Sequence, residues 1–342
     1  MSSRVTHAVL FGLGVLALVF AAGLAFIVGP RVNQLPYDLE RTQTVAEAPN
    51  ATFLQITDGK AEVNQGNLRS TITVQPDAAA TAKLEGDLDG KAAVWLVGQQ
   101  VVRTDNGDLV SAYSTELAID RKTAAAQPWD GQWLDTGSDR QSVSYTGQIY
   151  KFPFGTEKKT YQIFDRDINA AQPAVFVKTE KIEGLETYQF TQEIRGGRQE
   201  VPADRLQLLL GQLIPGATSG QIVYNNTRTV WVEPTTGQYL KVREVQEKNL
   251  VADGGQSVNV LNATFTYTDD TIASAADRAS TNRQLLRIVN LWAPIGLVVV
   301  GLILIVLALM LAVRRRNSGK HAAPAPAPAS PAAPVPPAPQ AR

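Results

Sequence analysis

"AVWLVGQQVVRTDNGDLVSAYSTELAID", Ala93–Asp120, places two runs of alternating apolar and polar residues on either side of Asp105-Asn106-Gly107. A period of two gives a strand one apolar face, and Asn-Gly supplies the positive φ angles of a tight hairpin turn. The stretch therefore predicts an antiparallel hairpin with a type I′ turn at Asn106-Gly107.

The same pattern recurs outward from it. "ATFLQITDGK" (Ala51–Lys60) alternates up to Asp58-Gly59, and "LRSTITVQPD" (Leu68–Asp77) alternates up to Pro76. In "TRTVWVEPTTGQYLKVREVQEK" (Thr227–Lys248) the run Glu233–Gly237 turns the chain between two such segments, and "SVNVLNATFTYT" (Ser257–Thr268) adds a late strand. Leucines cluster over Ala203–Ile214 before Pro215-Gly216, and Asp270–Asn290 begins with acids and ends with bases; both read as helices. The fold class expected is mainly β with minor α.

Two apolar segments bracket this region. Ala8–Val28 carries no charge, and about 20 such residues span a hydrocarbon core as a helix. Read as a signal peptide it is too long, and Phe26-Ile27-Val28 stands where a small-residue cleavage site belongs. Pro294–Val313 is equally apolar, follows Trp292, and ends in Arg314-Arg315-Arg316, a basic stop of the kind kept in the cytoplasm. The expectation is a two-pass cell-membrane protein with both termini cytoplasmic and an antiparallel β ectodomain between two transmembrane helices. Its parts are residues 1–7 (cytoplasmic), 8–28 (span), 29–269 (extracytoplasmic β domain), 270–293 (helical stalk), 294–313 (span) and 314–342, a Pro/Ala-rich tail expected to be disordered.

Composition excludes much chemistry. Cysteine is absent and both histidines, His7 and His321, are terminal, so the middle region has no thiolate and no Ser-His-Asp arrangement. "EGDLDG" (Glu85–Gly90) and "DRDIN" (Asp165–Asn169) alternate oxygen ligands but lack the rest of a calcium loop, and no phosphate loop is present, so neither metal nor cofactor is expected. The 32 bases balance 32 acids, which argues against nucleic acid. Between Arg31 and Arg287 lie 26 bases and all 32 acids, a net charge of −6.

"YKFPFGTEKKTYQIFDRD" (Tyr150–Asp167) has two readings. In the first, Tyr150–Phe154 and Tyr161–Asp165 form an amphipathic hairpin whose aromatic rows fill the core. In the second they line a ligand-facing groove of Tyr150, Lys151, Phe152, Phe154, Tyr161 and Asp165, with Lys158 or Lys159 meeting an anionic headgroup. On a strand the neighbours Asp165 and Arg166 face opposite sides, which argues against an acid-base pair there.

"SYTGQIYKFPFGTEKKTYQIFDRDI", "ELAIDRKT" and "EGLETYQF" resemble recurrent blocks of the PorA-like family of high-GC Gram-positive bacteria, a domain of unknown function. The resemblance runs over nearly the whole chain. Its porin label implies pore formation, whereas one helix pair encloses no water channel and the strands show no lipid-facing aromatic girdles. The reading adopted is a non-enzymatic envelope protein that touches the lipid bilayer and binds a lipid, glycan or protein through its β domain. The alternatives are an extracytoplasmic carboxylate-dependent hydrolase and a scaffold without a small ligand.

Overall fold

The structure is a computed structural model that describes residues 3–137 and 140–318. The Pro/Ala-rich tail, with Lys320 and His321, lies outside the described residues. The chain forms two compact units, residues 26–291 and a second made of the two ends.

In the unit of chain ends, helix α1 (Ser3–Gly23) lies against a long C-terminal helix, Ala293–Ser318. The contact depends on small residues. A Cβ at Gly14 would sit 2.8 Å from the carbonyl oxygen of Gly301, and one at Gly301 would sit 2.8 Å from that of Gly14. Without side chains at these two positions the backbones approach closely, which is how helices pack where lipid supplies no hydrophobic drive. A π-helical turn closes each apolar segment on its inner-domain side, Leu24–Val28 and Ile288–Trp292.

The larger unit is one antiparallel sheet. Its strands are β1 (Thr42–Thr57), β2 (Lys60–Pro76), β3 (Ala92–Arg103), β4 (Leu109–Asp120), β5 (Ala126–Gln127), β6 (Trp133–Asp135), β7 (Gln141–Ser142) and β8 (Tyr161–Asp165). They continue with β9 (Ala170–Ile182), β10 (Leu185–Gln199), β11 (Gly220–Glu233), β12 (Gln238–Ala252) and β13 (Ser257–Tyr267). The spatial order is β7-β6-β4-β3-β2-β1-β13-β12-β11-β10-β9-β8, with β5 on β4. The chain thus lays one meander from β1 to β7 and another from β8 to β13, and β1 pairs with β13 where they join.

The two meanders also meet at one residue away from the β1–β13 seam. Gln148 bridges Ala125, just before β5, on one side and Ile163 of β8 on the other. Its amide donates to the carbonyl of Gln162 (2.7 Å), its carbonyl accepts from Phe164 (2.8 Å), and its side-chain Nε2 donates to Thr123 O (2.6 Å). This bridge covers the β8 edge and helps enclose a volume between the inner faces of the meanders.

Helices flank the sheet. Helices α2 (Gly29–Val32) and α3 (Ala78–Thr81) are single turns. In α4 (Ala203–Leu213), Leu209 and Leu210 bury against Ile222, Leu250 and Val260, while Gln212 accepts from the amide of Ala61 and donates to the carbonyl of Gly59. The last two helices in chain order are α5 (Asp269–Arg287) and α6 (Ala293–Ser318). Helix α5 is capped by Thr268, and its Thr271 accepts from the amide of Val45, tying it to β1.

Three expectations change. The turn at Asp105-Asn106-Gly107 is not type I′: only Gly107 has positive φ (80°), because Asn106 holds a looser loop by accepting from the amide of Asp108 (3.0 Å). The two-residue turn with both φ positive is Asp58-Gly59 (50° and 76°), and Glu183-Gly184 (48° and 73°) makes another. That second turn joins β9 to β10, a hairpin the alternation alone did not reveal. Lastly, Tyr150–Phe154 is not a strand; it is laced instead onto the Glu233–Gly237 turn, with amides of Phe152, Gly155 and Thr156 donating to the carbonyls of Gly237, Thr235 and Pro234 (2.8, 3.1 and 2.7 Å). The amphipathic hairpin therefore has only its second arm, β8.

Candidate ligand cavity

The closed sheet surrounds a cavity of about 1200 Å³. Alternation along the strands builds its walls. In β2, Leu68, Ser70, Ile72 and Val74 face the cavity, while Thr71, Thr73 and Gln75 face an outer groove. Register carries this across the sheet: Thr44 of β1 lies opposite Ile72, and Ile72 opposite Gln99 of β3, all three lining the same space. From the other meander come Val230, Val242, Leu261 and Phe265. The side chains on these inner faces are too small to fill the volume they enclose, so the apolar interior that alternation predicts is hollow. Its size exceeds the roughly 300–1,000 Å³ of common small-molecule sites.

One wall is ionic. Arg228 of β11 pairs with Asp165 (3.0 Å) and Glu244 (2.7 Å) and also donates to Gln192 Oε1 (2.9 Å). Lys248 pairs with Asp167 (2.7 Å), which accepts from Gln199 as well (2.9 Å). Burial pushes the Asp165 carboxyl up. Burial would also raise Asp167 and Glu244, but Lys248 with Arg166 holds Asp167 below its usual range, and Arg228 does the same for Glu244. Among the described residues, no group of His, Asp and Glu is arranged to hold a metal ion.

The sequence-predicted site residues divide. Tyr150, Lys151, Phe154 and Asp165 line the cavity. Phe152 and Tyr161 do not; they stack at 4.7 Å within the neighbouring aromatic core, where Phe152 meets Phe190 and Tyr239 edge-on. Lys158 and Lys159 lie on an exposed turn outside the cavity, Lys158 over the Tyr188 ring (4.9 Å) and Lys159 paired with Glu157.

Lys151 is turned inward by the loop geometry. Its ammonium donates to the carbonyls of Phe152 (3.0 Å) and Thr236 and lies 3.7 Å from the Phe154 ring centre. Burial lowers its pKa to about 7, against the pull of Glu233. Asp165 and Arg166 both line the cavity, contrary to the strand-alternation argument, because β8 ends at Asp165 and the chain turns.

Sequence reasoning missed Arg166, Asp167, Arg228, Glu244 and Lys248. A signal was present: Arg228, Glu244, Gln246 and Lys248 occupy the same even-numbered phase as Val230 and Val242, so polar groups stand at inward positions.

The outer groove, about 800 Å³, brings Asp77 and Glu116 together. Burial raises the Glu116 carboxyl, with Asp77 adding to it through direct side-chain contact. Both acids have structural partners: Asp77 caps the amide of Ala80 (2.7 Å), and Glu116 accepts from the Trp133 indole (2.8 Å). Carboxyls in contact leave no room for the water or sugar ring that separates the acids of a glycosidase by at least about 5 Å.

The class defined by this geometry is an antiparallel β domain closed around an apolar cavity with an ionic wall, on a chain with a long apolar helix at each end. The chain belongs to the Porin PorA family, whose model matches residues 7–310. It is similar to Porin PorA of Corynebacterium resistens, 22% identical over 93% of this chain and 99% of that protein. It is likewise similar to Porin PorA of Corynebacterium amycolatum, 23% identical over 90% of this chain and 98% of that one. Family and helices together point to a membrane protein of the cell envelope.

Proposed function

We propose that this protein is a two-pass, non-enzymatic envelope protein, with its termini cytoplasmic and its β domain outside, which binds a lipid in the cavity of that domain. The observation that carries the reading is the cavity, walled by Ile72, Val74, Trp95, Val230 and Phe265 yet left unfilled by protein. Empty apolar surface forfeits dispersion contacts, and an alkyl chain restores them. Chains of about 20 apolar residues at both ends support membrane anchoring, and the Arg314–Arg316 stop supports cytoplasmic termini.

The relatives bear the name porin. In this chain the outward faces of β1 and β2 present Gln43, Thr71, Thr73 and Gln75. Such a face suits water and not hydrocarbon, which favours binding in a domain outside the bilayer over a strand-built pore.

Native mass spectrometry of the detergent-extracted full chain tests the reading. A lipid-sized adduct is expected on the wild type and not on Ile72→Trp, whose indole occupies the cavity. Absence of any adduct in mild detergents, with the protein folded, would sink it.

A further inference from the structure

Arg166 differs from the other cations of the ionic wall. Arg228 and Lys248 each have a carboxylate within 3.0 Å. The Arg166 guanidinium reaches Asp167 only at 4.0 Å, and among the described residues it has no hydrogen-bond acceptor. It lies over the Tyr113 ring, 4.0 Å from the centre, and its side chain keeps 35% of its surface free while lining the cavity. The Tyr113 and Tyr150 hydroxyls, 3.3 Å apart, line the same wall. Two further polar atoms on the cavity residues are buried without a partner, Tyr239 OH and Arg278 Nε. Donors in a low-dielectric space are costly until an acceptor meets them, and the guanidinium fork matches a carboxylate or phosphate two bonds at a time.

The nearby acids have closer partners than Arg166. Asp165 is engaged by Arg228 and by the amide of Asp167 (2.9 Å), and Asp167 by Lys248 and Gln199. Beside Arg166 the wall turns apolar through Tyr145, Ile149, Phe154 and Phe164. A charged head and a hydrocarbon tail therefore find adjoining surfaces.

We infer that the cavity ligand is an anionic amphiphile, with a carboxylate or phosphate headgroup clamped by Arg166 and hydrogen-bonded by the tyrosine hydroxyls, its tail running along the apolar wall. This rests on the cavity reading above and adds the headgroup class and its anchor.

The test is photo-crosslinking on the full chain in nanodiscs with three diazirine probes of one tail length: a fatty acid, an alkyl phosphate and a fatty alcohol. Labelled peptides are mapped by mass spectrometry. The wild type is expected to label at cavity strands with one or both anionic probes, favoured over the alcohol by about tenfold or more, the scale of a charge-assisted fork. Arg166→Gln should abolish that preference while alcohol labelling persists, Arg166→Lys should restore part of it, and Lys158→Gln, on the exposed turn outside the cavity, should leave it. An unmoved thermal midpoint in Arg166→Gln separates lost recognition from lost fold. Equal labelling by acid, phosphate and alcohol, or loss of preference in Lys158→Gln and not in Arg166→Gln, overturns the inference and leaves the cavity reading standing. No labelling of cavity strands by any probe overturns both. The acid and phosphate arms distinguish the two headgroups.

Discussion

Phe152 donates its amide to the carbonyl of Gly237 at 2.8 Å, and a Cβ at position 237 would collide with the carbonyls of Phe152 and Pro153. The contact joins the irregular Tyr150–Thr156 segment to the turn between β11 and β12, and so aims Tyr150, Lys151 and Phe154 into the cavity. Gly237 also has φ of 72°. Gly237→Ala is expected to destabilise the β domain by about 2–4 kcal/mol, through left-handed strain and the collision together. Thermal denaturation of the full chain checks it, and a midpoint unchanged from wild type would show that the segment is not held there.

Arg228 bridges Asp165 and Glu244 in the interior, and removing it leaves two carboxylates without their cation. Arg228→Leu should cost about 3–5 kcal/mol, and the triple variant Arg228→Leu, Asp165→Leu, Glu244→Leu should recover much of that loss. A triple variant less stable than the single one would show the network to be a net source of stability.

The same network sets an acid dependence. Glu244 and Asp167 are held below their ordinary values, so their contributions are complete above about pH 4 and are lost as pH falls through the folded values. Asp165 is shifted up and works in the opposite sense, its ionised form costing stability above its raised folded value. In Arg228→Leu the depression of Glu244 is lifted, and the fall in stability below pH 4 should flatten. Chemical denaturation from pH 3 to 6 reads this directly; parallel wild-type and variant profiles would refute the coupling.

Burial lowers the Lys151 pKa to about 7 in the folded protein, well below that of an unfolded lysine. Between those values the unfolded chain binds more protons, so wild-type stability should rise from pH 7 towards 10. Lys151→Met removes that slope, and its stability relative to wild type should be greatest at low pH. Denaturation midpoints across the range decide it, since equal slopes would mean that Lys151 keeps an ordinary pKa.

Gly14 and Gly301 set the approach of α1 and α6. Gly14→Leu should lower the denaturation midpoint of the detergent-solubilised protein, at an overpacking cost of about 1–3 kcal/mol. Gly12→Leu, where a Cβ meets open space, should not. If both leucines behave alike, the helices do not pack through Gly14.

A chain without cysteine makes the proposed membrane topology simple to probe. A cysteine placed at Asp58, in the exposed β1–β2 turn, should react with a membrane-impermeant maleimide in intact cells, and one at Lys320 only after lysis. Reaction of both before lysis, or of neither, contradicts the two-pass arrangement.

Much of this protein follows from local pattern. Two stretches of about 20 uncharged apolar residues, the alternation of β2, β3, β11, β12 and β13, and the helix around Leu209 and Leu210 are periodicities that any structure must respect. The absence of cysteine and central histidine was likewise legible without coordinates. Local pattern did not reveal the β9–β10 hairpin, because the apolar run Ala174–Val177 of β9 does not alternate and the charged Lys178, Glu180 and Lys181 follow it. It assigned a strand to Tyr150–Phe154, where long-range hydrogen bonds to the Glu233–Gly237 turn prevail.

The cavity belongs to the tertiary level for a physical reason. Alternation says which side chains face inward, but whether those side chains fill the interior depends on the radius at which the sheet closes. That radius follows from the pairing of β1 with β13 and from Gln148 joining the two meanders, contacts that alternation along one strand does not specify. The same closure separates Lys158 and Lys159 from the cavity and brings Arg166 to it.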